Sequence, residues 1–525
     1  MKTKSSLNLL WLLVLVAWLG GCAALPENSG RTETTALEDT GDTFLGRAYR
    51  REAPVHPPGQ SAFRLLGNGL DAFVARAALA QVAERAIDLQ YYMIHGDNVG
   101  TLLLEQLVKA ADRGVRVRIL LDDIDEGGRD FRIAALDLHP NIEVRIFNPF
   151  GRNVSRIWQY ITGFGRQTRR AHNKSYTVDN VATILGGRNI GDEYFERDPK
   201  LAFQDLDVLA IGPVAGGVSR SFDAYWNHEL SYPIGVLLKE RKPTQADLRQ
   251  IRSRLERHLR GAADSDYLER LRNSELARQL RAGSLHFDWA QGEVFADPPD
   301  KLLQKTSDAQ SRMIRELLPH LQSAKQELIV LSPYFVPGKK GVEFFRSLRE
   351  KGVRVRILTN SLASTDVTIV HAGYARYRKA LLRMGVELWE LNEVTSREER
   401  RQMREGYVGK SKSSLHAKAF VADRETVFIG SMNLDPRSVI QNTEIGVVFR
   451  SAALGGEIGR AFDENIEAEA WRLELVRDER TGTEKILWHG RSDGQEVTLA
   501  HDPHTSLLRR MGIHLMMWLP IESQI

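Results

Sequence analysis

Two stretches of the chain contain a histidine, a lysine two residues further on and an aspartate five residues after the lysine. They occupy residues 172–179 and 416–423, and each lies in an apolar run of strand-forming residues. Side chains two positions apart in a strand point to the same face of a sheet, so each histidine is expected beside its lysine. The pairs predicted to share a face are His172 with Lys174 and His416 with Lys418.

The aspartates of the two stretches have a different spacing. Asp179 and Asp423 follow their histidines by an odd number of residues, which places them on the opposite face of a continuous strand. We therefore interpret both aspartates as structural residues that pair with or cap the end of a strand. Their carboxylates are not expected at the reacting centre.

A glycine turn and an asparagine, Asn189 or Asn433, follow each of these strands. Glycine lets the backbone approach a ligand, and lysine and the asparagine amide are donors suited to a phosphate. Two histidines can then divide the work. One attacks phosphorus to form a phosphohistidine, and the other protonates the leaving alkoxide and later deprotonates the incoming hydroxyl. The residues alone do not show which histidine has which role. No cluster with metal-ligand spacing accompanies them, so we expect neither a metal nor another cofactor.

The elements that must position these residues also occur twice. The sequence GVRVRIL at residues 114–120 recurs letter for letter at 352–358, at a spacing close to that of the two histidine motifs. Each copy follows an amphipathic helical pattern and, before it, an apolar strand ending in a glycine-containing turn. A chain of 525 residues can bury more than one core. The alternation of strand and helix predicts two copies of one α/β sandwich domain, each with a largely parallel sheet.

The first residues resemble a bacterial lipoprotein signal. Two lysines precede an apolar run over residues 9–19, and small residues and Cys22, the single cysteine of the chain, follow it. The run is short for a bilayer core, which needs roughly 20 residues, and a membrane-spanning anchor is the alternative. We expect removal of residues 1–21 and lipidation of Cys22, which would anchor the protein in the bacterial cell envelope, exposed to the periplasm. Ala23 after the cysteine favours the outer membrane.

The rest of the chain divides by composition. Residues 22–60 are polar, with Pro, Gly and Thr, and are expected to form a flexible tether. The stretch 237–285 is dense in Arg, Glu, Asp and Ala at helical spacing, which is typical of a solvated helical connector. It separates an N-terminal domain, 61–236, from a C-terminal domain, 286–525, that ends in an apolar tail.

The paired motifs, with GGRN at 186–189 and GSMN at 430–433 behind them, resemble the phospholipase D superfamily. The resemblance covers most of the chain from about Phe63 onward. It implies two tandem phospholipase D-like domains related by pseudo-twofold symmetry, with one active site at their interface. It also implies that His172 is the nucleophile and His416 the general acid and base.

The same resemblance implies roles for the other polar residues. The lysines and asparagines map onto phosphate-binding positions, and an acidic residue downstream orients each histidine through its other ring nitrogen. Glu444 fits this role in the second half, and Asp205 is preferred over Asp207 in the first. Gly187 stands where the second half has Ser431, a difference expected to matter little. The implied site residues are His172, Lys174, Asn189, Asp205, His416, Lys418, Asn433 and Glu444.

Four stretches narrow the resemblance to bacterial cardiolipin synthases of the C type. They are residues 186–195, 205–213, 365–391 and 431–449. This similarity implies transfer of a phosphatidyl group to phosphatidylglycerol, with phosphatidylethanolamine or a second phosphatidylglycerol as the donor. Phospholipids and the membrane are therefore the expected partners, and an accessory protein is left open.

Two other functions remain open to the same motifs. A hydrolytic phospholipase D would use water as the acceptor, whereas a nuclease or a non-catalytic envelope binder would engage other ligands. The net charge is only +4, and binding to nucleic acid usually shows a concentrated basic face, so no nucleic acid partner is expected. Both half-motifs are intact, which disfavours a non-catalytic binder.

Two segments combine basic with apolar residues. The run 152–170 contains Trp158, Tyr160, Ile161 and Phe164 among its arginines, and could form a lip that meets anionic headgroups or serve a nuclease. Residues 506–519 could lie in a membrane interface or form a C-terminal helix packed on the body. The sequence leaves both choices open.

Overall fold

Two mixed β-sheets, one from each copy of the repeat, form the framework of the protein. The computed structural model describes residues 25–125, 128–152, 156, 159, 168–195, 205–238, 241–262, 265–304, 312–392, 414–492 and 494–518. The strands of the first sheet are β1 (Ser61–Leu66), β2 (Ala86–Tyr91), β3 (Arg116–Asp122), β4 (Ile142–Phe147), β5 (Ser175–Val178), β6 (Ala182–Gly186), β7 (Asp207–Ile211), β8 (Ser231–Pro233) and β9 (Asp288–Ala290). Their order across the sheet is β8-β4-β3-β2-β5-β6-β7-β1-β9.

The second sheet repeats the inner order of the first. Its strands are β10 (Gly292–Ala296), β11 (Glu327–Leu331), β12 (Arg354–Asn360), β13 (Glu387–Leu391), β14 (Ala419–Ala422), β15 (Thr426–Gly430), β16 (Ile445–Arg450), β17 (Ala470–Arg477), β18 (Glu484–Ser492) and β19 (Gln495–Leu499). They are ordered β10-β16-β15-β14-β11-β12-β13-β17-β18-β19. The run β4-β3-β2-β5-β6-β7 therefore corresponds to β13-β12-β11-β14-β15-β16, as a duplicated domain requires.

The expectation of largely parallel sheets is wrong. Only β2, β3 and β4 in the first sheet, and β11, β12 and β13 in the second, pair in parallel. The strands that follow the histidines, β5 and β14, pair antiparallel on both sides. The reason is a tight hairpin after each of them, in place of a helical crossover. In the first hairpin the turn residues Asp179 and Asn180 have φ of 51° and 53°, as a type I′ turn requires.

Most helices cover the outer faces of the sheets, and one helix of each half packs on the inner face, between its sheet and the other half. Those of the first half and the connector are α1 (Phe44–Glu52), α2 (Gly69–Val82), α3 (Asn98–Asp112), α4 (Asp130–Leu136), α5 (Asp192–Phe195), α6 (Pro213–Trp226), α7 (Gln245–Ala262), α8 (Asp266–Arg272) and α9 (Glu275–Ala282). Those of the second half are α10 (Arg312–Gln322), α11 (Gly338–Glu350), α12 (Thr368–Ala375), α13 (Arg378–Arg383), α14 (Ala452–Glu469) and α15 (Leu507–Met516). No helix in these described ranges is both long and apolar enough to cross a membrane.

The two halves share a hydrophobic core. Buried side chains of β6 and β7 in the first half pack in one cluster with those of β11, β14, β15 and β16 in the second. Phe63 and Phe449 stack across this interface with their ring centroids 4.4 Å apart. Because this core is apolar and continuous, the two halves are held in a fixed relation, which a site built from both of them needs.

The predicted solvated connector is helical, but it is not simply solvated. Leu255 of α7, Leu271 of α8 and Leu276 of α9 are buried in the core of the first half. Each of these helices has an apolar stripe on one side and charged residues on the other, so the charge density in the sequence concealed the buried side. The chain then changes sheets at Gln291, because β9 pairs with β1 and β10 pairs with β16. The predicted boundary at 285/286 is therefore a few residues early.

The predicted flexible tether is also corrected in its described part, residues 25–60. The Asn28 side-chain amide donates to the carbonyl oxygens of Glu229 and Ser231 at 2.8 and 3.0 Å. The backbone N–H of Ala36 donates to Asp223 of α6, and Leu45 of α1 is buried. Hydrogen bonds, which leave no periodic pattern in a sequence, thus hold this segment on the first half. Cys22 and the predicted signal lie outside the described residues.

Candidate active site

The hairpins β5–β6 and β14–β15 carry the two histidine motifs to the junction of the halves. The backbone N–H of His172 donates to the carbonyl oxygen of Thr443 at 2.9 Å, and a parallel bridge joins Ala171 to Thr443. The segment before β5 is therefore bonded directly to the segment before β16. Gly187, in the turn after β6, lies so close to His416 that an added Cβ would be 2.8 Å from its carbonyl oxygen.

Both histidines line one cavity of about 590 Å³ at this junction. Each lysine folds back, so that Lys174 Nζ donates to the carbonyl oxygen of His172 at 2.9 Å and Lys418 Nζ to that of His416 at 2.6 Å. The two lysines are almost completely buried. The predicted residues that line the cavity, from both halves, are His172, Asn189, His416 and Asn433.

Each histidine pairs with a carboxylate from the other half of the chain. His172 Nδ1 is 2.9 Å from a carboxylate oxygen of Glu444, and His416 Nδ1 is 2.7 Å from one of Asp205. The expectation that the acidic residue downstream in the same half orients each histidine is therefore wrong: Glu444 of the second half pairs with His172, and Asp205 of the first half pairs with His416. Asp207, the less favoured choice, instead forms a buried ion pair with Arg76 at 2.8 Å. Among the described residues, His172 and His416 therefore each depend on the other half for the carboxylate at Nδ1.

The two pairs differ in their electrostatics. Burial raises the pKa of Glu444 to about 7, although the charge of Lys174 opposes the rise. Burial alone would also raise the pKa of Asp205, but the charge and hydrogen bond of His416 outweigh it and hold that pKa well below the usual range. The carboxylate beside His416 is thus firmly ionised near neutral pH, whereas the one beside His172 is close to its titration point.

The lysines and histidines of the site all have lowered pKa values. Burial lowers the pKa of Lys174 to about 7 and that of Lys418 to about 8. Burial, with the charges of the lysines acting in the same direction, holds the pKa of His172 well below its ordinary value and lowers that of His416 to about 4. A site with these properties favours binding of an anion, because a bound negative charge restores protons to the lysines.

The structural interpretation of the two motif aspartates fits the geometry. Asp179 accepts hydrogen bonds from the backbone N–H groups of Glu84, Arg85 and Ala86, at the start of β2. Asp423 binds the corresponding N–H groups of residues 325–327, at the start of β11. Each aspartate thereby ties its hairpin to the neighbouring strand and fixes the position of the histidine ahead of it.

The difference between Gly187 and Ser431 matters more than expected. The Ser431 hydroxyl donates to Glu444 at 2.5 Å and accepts from the backbone N–H of Ile445 at 3.0 Å. At Gly187 an added Cβ would lie 2.5 Å from the Asp205 carboxylate. Serine therefore supports one carboxylate, whereas glycine leaves room for the other.

Two tyrosines belong to the site although the sequence interpretation did not name them. The Tyr92 ring packs edge-on against His172 at 4.9 Å, and the Tyr194 ring packs against His416 at 5.1 Å. The Asn189 amide donates to the Tyr194 hydroxyl at 3.0 Å. Tyr92 directly follows the apolar strand β2, a position that the repeat could have indicated.

The arginine-rich run 152–170 is described only in part, and its four named aromatic and aliphatic residues lie outside that part. Among its described arginines, Arg152 forms ion pairs with Asp123 and Asp130, and Arg156 with Asp123. Arg170 is completely buried and pairs with Asp122 at 2.7 Å. These arginines are therefore engaged by carboxylates of the first half, and do not present free charges to a ligand.

The comparisons with known proteins agree with this geometry. The family model described as "Cardiolipin synthase, PLD-like domain" matches the chain twice, over residues 77–226 and 317–466. Cardiolipin synthase C of Escherichia coli is 42% identical over 466 residues, which cover 89% of this chain and 96% of that protein. Cardiolipin synthase of Geobacillus kaustophilus is 27% identical over 411 residues, covering 77% of this chain and 65% of its own.

A solved structure shares the fold. Phosphatidylserine synthase of Haemophilus influenzae superimposes with a TM-score of 0.53 at 12% identity, covering 78% of this chain and 87% of that one. Two phospholipase D-like domains with a shared site define the class of the protein, an enzyme of the phospholipase D type. The chain belongs to the phospholipase D superfamily and, within it, to the cardiolipin synthase family.

Proposed function

We propose that the protein forms cardiolipin from phosphatidylglycerol and a second phospholipid through a covalent phosphohistidine intermediate. The observation that carries the proposal is the reciprocal pairing of two histidines with carboxylates of opposite halves, in one cavity with two buried lysines close by. Such an arrangement suits transfer of a phosphoryl group from one alcohol to another. Similarity to cardiolipin synthase C over most of the chain supports a lipid alcohol as the acceptor.

In the first step, Nε2 of His172 attacks phosphorus of the donor lipid and the bond from phosphorus to the headgroup oxygen breaks. The hydrogen bond from Nδ1 to Glu444 orients the ring and leaves Nε2 free. The lowered pKa of His172 keeps the imidazole neutral, as a nucleophile must be. His416 donates a proton to the leaving oxygen, so that ethanolamine or glycerol departs as a neutral alcohol group.

The two carboxylates favour this division of roles. Asp205 is ionised and stabilises an imidazolium at His416, whereas Glu444, with its raised pKa, offers less negative charge to His172. Burial and the lysine charges both depress the pKa of His416, and a bound phosphodiester offsets the part due to the lysines. His416 therefore gains its proton when the donor lipid binds, which is when an acid is needed.

In the second step, His416 accepts the proton of the primary hydroxyl of phosphatidylglycerol. The hydroxyl oxygen attacks phosphorus, the bond between phosphorus and His172 breaks, and cardiolipin forms with both histidines restored. Lys174 and Lys418, with donors from Asn189 and Asn433, offset the negative charge of the pentacoordinate transition state. Every step is assigned to a side chain, and none requires a metal.

The helix α15 supports a position of this cavity at a lipid surface. Ile513 packs on Ala372 of α12, and the same α12 carries Ile369 and Val370 of the cavity wall. The opposite side of α15 is apolar and exposed. Its exposed residues, with Trp518 just beyond the helix, are Leu507, Leu508, Met511, Leu515 and Trp518. The two interpretations of this segment are thus compatible, since one face packs on the body and the other is free to enter a membrane interface.

Anchoring through a lipidated Cys22 belongs to the same proposal. A lipid anchor that holds the enzyme in the envelope raises the concentration of its lipid substrates near the cavity, and the residue after the cysteine favours the outer membrane. Cys22→Ser is expected to release the protein from the membrane fraction or missort it. Unchanged processing and an unchanged membrane fraction in that variant would contradict the lipoprotein assignment.

The test of the proposed function is the product formed by purified protein in vesicles of phosphatidylglycerol and phosphatidylethanolamine. We expect mainly cardiolipin, with phosphatidic acid as a minor product, because a transferase must hold a lipid alcohol where water would otherwise react. Omission of phosphatidylglycerol should abolish cardiolipin. Phosphatidic acid as the dominant product at high phosphatidylglycerol, with partner proteins supplied from an envelope extract, would identify a hydrolytic phospholipase D instead.

A further inference from the structure

A second cavity, of about 730 Å³, lies beside the catalytic one in the second half. It is bounded by α10, by α11 and by the segment that follows Leu434, and most of its lining is aliphatic or aromatic. Its half-buried apolar side chains include Ile314, Leu318, Phe344 and Val439. The volume falls within the roughly 300–1,000 Å³ of small-molecule sites in proteins. We name this cavity the α10–α11 cleft.

The corresponding helices of the first half, α2 and α3, are packed differently. There the rings of Phe73 and Phe195 meet edge to face at 6.1 Å, and both are buried in the core. The hydrogen bonds of Asp179 and Asp423, and the bridges Ile94–Ile190 and Phe335–Leu434, align the two halves. In this alignment Ile314 and Val439 replace Phe73 and Phe195. Two aliphatic side chains in place of two rings leave the space open.

The cleft adjoins the catalytic cavity and shares one wall residue with it. Asp435 lines both cavities, and it lies two residues after Asn433 of the second motif. Val336, on the cleft side, donates its backbone N–H to Leu434 at 2.8 Å. The two cavities therefore meet at Asp435, and a lipid whose phosphate occupies the histidine cavity would reach the cleft by passing this residue.

The charge at the cleft suits an anionic lipid. Lys339 and Lys340 at the start of α11, and Arg315 of α10, line the cleft and are exposed to solvent. Neither lysine forms an ion pair with a described residue. Exposed cations at the edge of an apolar cleft are suited to face a surface of anionic lipids, from which a hydrocarbon chain would enter the cleft.

We propose that the α10–α11 cleft holds an acyl chain of the phospholipid whose phosphate reacts in the histidine cavity. This inference rests on the proposed function, because it takes the substrate to be a phospholipid. It adds that the second half selects for a long chain, whereas the same region of the first half is filled by protein. For a lipid taken up from water, each methylene moved into such a site improves binding about fourfold, so among water-soluble lipids binding should strengthen with chain length.

A pair of variants on one helix tests the cleft. Ser347 of α11 lines the cleft, whereas its neighbour Arg346 is exposed on the outside of the same helix. Ser347→Trp should lower kcat/KM for dioleoyl phosphatidylglycerol at least tenfold and change that for the water-soluble dihexanoyl lipid less than twofold. Arg346→Trp should change neither. Ile314→Phe, which restores one ring of the first half, should act in the same direction as Ser347→Trp, and dihexanoyl turnover reports that each variant is folded.

Photo-crosslinking separates failure of the cleft from failure of the proposed function, because it needs binding but no turnover. Phosphatidylglycerol with a diazirine on one acyl chain, in vesicles, should label residues of α11 and 434–440. Labelling there without cardiolipin formation would leave the cleft assignment standing and overturn the reaction. Equal losses of dioleoyl and dihexanoyl turnover in both filling variants, or label confined to other surfaces such as α15, would overturn the cleft assignment.

Discussion

The two halves of this protein share a strand order and a histidine motif, yet they differ in what surrounds the motif. Behind His172, the carboxylate of Asp122 accepts from the backbone N–H of Ala171 and pairs with the buried Arg170. Behind His416, the corresponding acceptor is the neutral side chain of Asn360, which binds the N–H of Leu415. In both halves a side-chain oxygen therefore accepts the backbone N–H of the residue before the histidine. That side chain is charged in the first half and neutral in the second.

This difference teaches how a duplicated domain can build an asymmetric catalyst. Hydrogen bonds from Asp179 and Asp423 hold both hairpins in the same register, so the histidines keep equivalent positions. The carboxylates exchanged across the interface then differ in their own pKa values, since that of Glu444 is raised by burial and that of Asp205 is lowered by His416. Outside the site, the first half is closed by Phe195 and the connector helices, while the second half keeps the α10–α11 cleft.

The largest effect is expected from the histidines. Their substitution tests whether the two halves share one active site or each work alone. His172→Ala and His416→Ala should each lower turnover at least about a thousandfold, because the nucleophile and the acid belong to one site. Lipid mass spectrometry of cardiolipin measures this loss. Near-normal activity in either variant would show that each half works alone.

The second prediction concerns the two lysines, one from each half, whose titration should make kcat/KM depend on pH. A protonated lysine stabilises the phosphate, and the pKa values of about 7 for Lys174 and about 8 for Lys418 mean that these protons are lost as pH rises. We therefore expect kcat/KM to fall with rising pH, beginning between about pH 7 and pH 8. A profile that stays level to pH 9.5 would contradict the lowered lysine pKa values. In the Lys174→Met variant only Lys418 remains to lose its proton, so kcat/KM should begin to fall near pH 8.

Exchange of the residues at 187 and 431 tests whether the halves are interchangeable. Gly187→Ser would crowd the Asp205 carboxylate and the His416 carbonyl oxygen, so we expect more than a tenfold loss of turnover. Ser431→Gly removes a hydrogen bond to Glu444, and should lower stability by about 1–3 kcal/mol with a smaller loss of turnover. Thermal unfolding and steady-state kinetics measure the two effects. Equal, small effects at both positions would mean that the difference between Gly187 and Ser431 does not matter for function.

The smallest effect is expected at the exposed face of α15, which only the second half carries. Leu508 is 80% exposed, and Leu508→Asp should weaken binding to anionic vesicles several-fold without changing turnover of a water-soluble lipid. Leu280→Asp, at an exposed leucine of the connector, is the matched control and should have no effect. Sedimentation with vesicles measures binding, and equal binding by both variants would remove α15 from the membrane contact.

The sequence predicted those parts of the molecule that local patterns determine. The letter repeat and the two histidine motifs define the duplicated α/β domains, and an odd spacing places Asp179 and Asp423 away from the reacting centre. Asp205, the residue preferred over Asp207, does contact a histidine of the site, but that histidine is His416 and not His172 of the same half. These features depend on residues close together in the chain, and strand periodicity or comparison of the copies is enough to find them.

Contacts between distant segments could not be predicted in the same way. The crosswise pairing of His172 with Glu444 depends on how two sheets dock, and no periodicity encodes it. Burial of Leu255 in a charge-dense helix depends on the surface beneath it, as does the placement of residues 25–60 by isolated hydrogen bonds. In the sequence, the only sign of the cleft is that Ile314 and Val439 stand where the first half has two aromatic residues. This replacement can be recognised only after the two halves have been superposed.

One measurement tests the division of labour between the halves most directly. His416→Ala is incubated with a phosphatidyl donor whose leaving group is p-nitrophenol, because departure of that group needs no general acid. The first step should then proceed and the second should stall, since the acceptor hydroxyl has no base. Mass spectrometry of peptides prepared at alkaline pH should find the phosphatidyl group on His172 in this variant and nowhere in His172→Ala. An adduct on His416 in the His172→Ala protein, or none in either variant despite release of p-nitrophenol, would contradict the account.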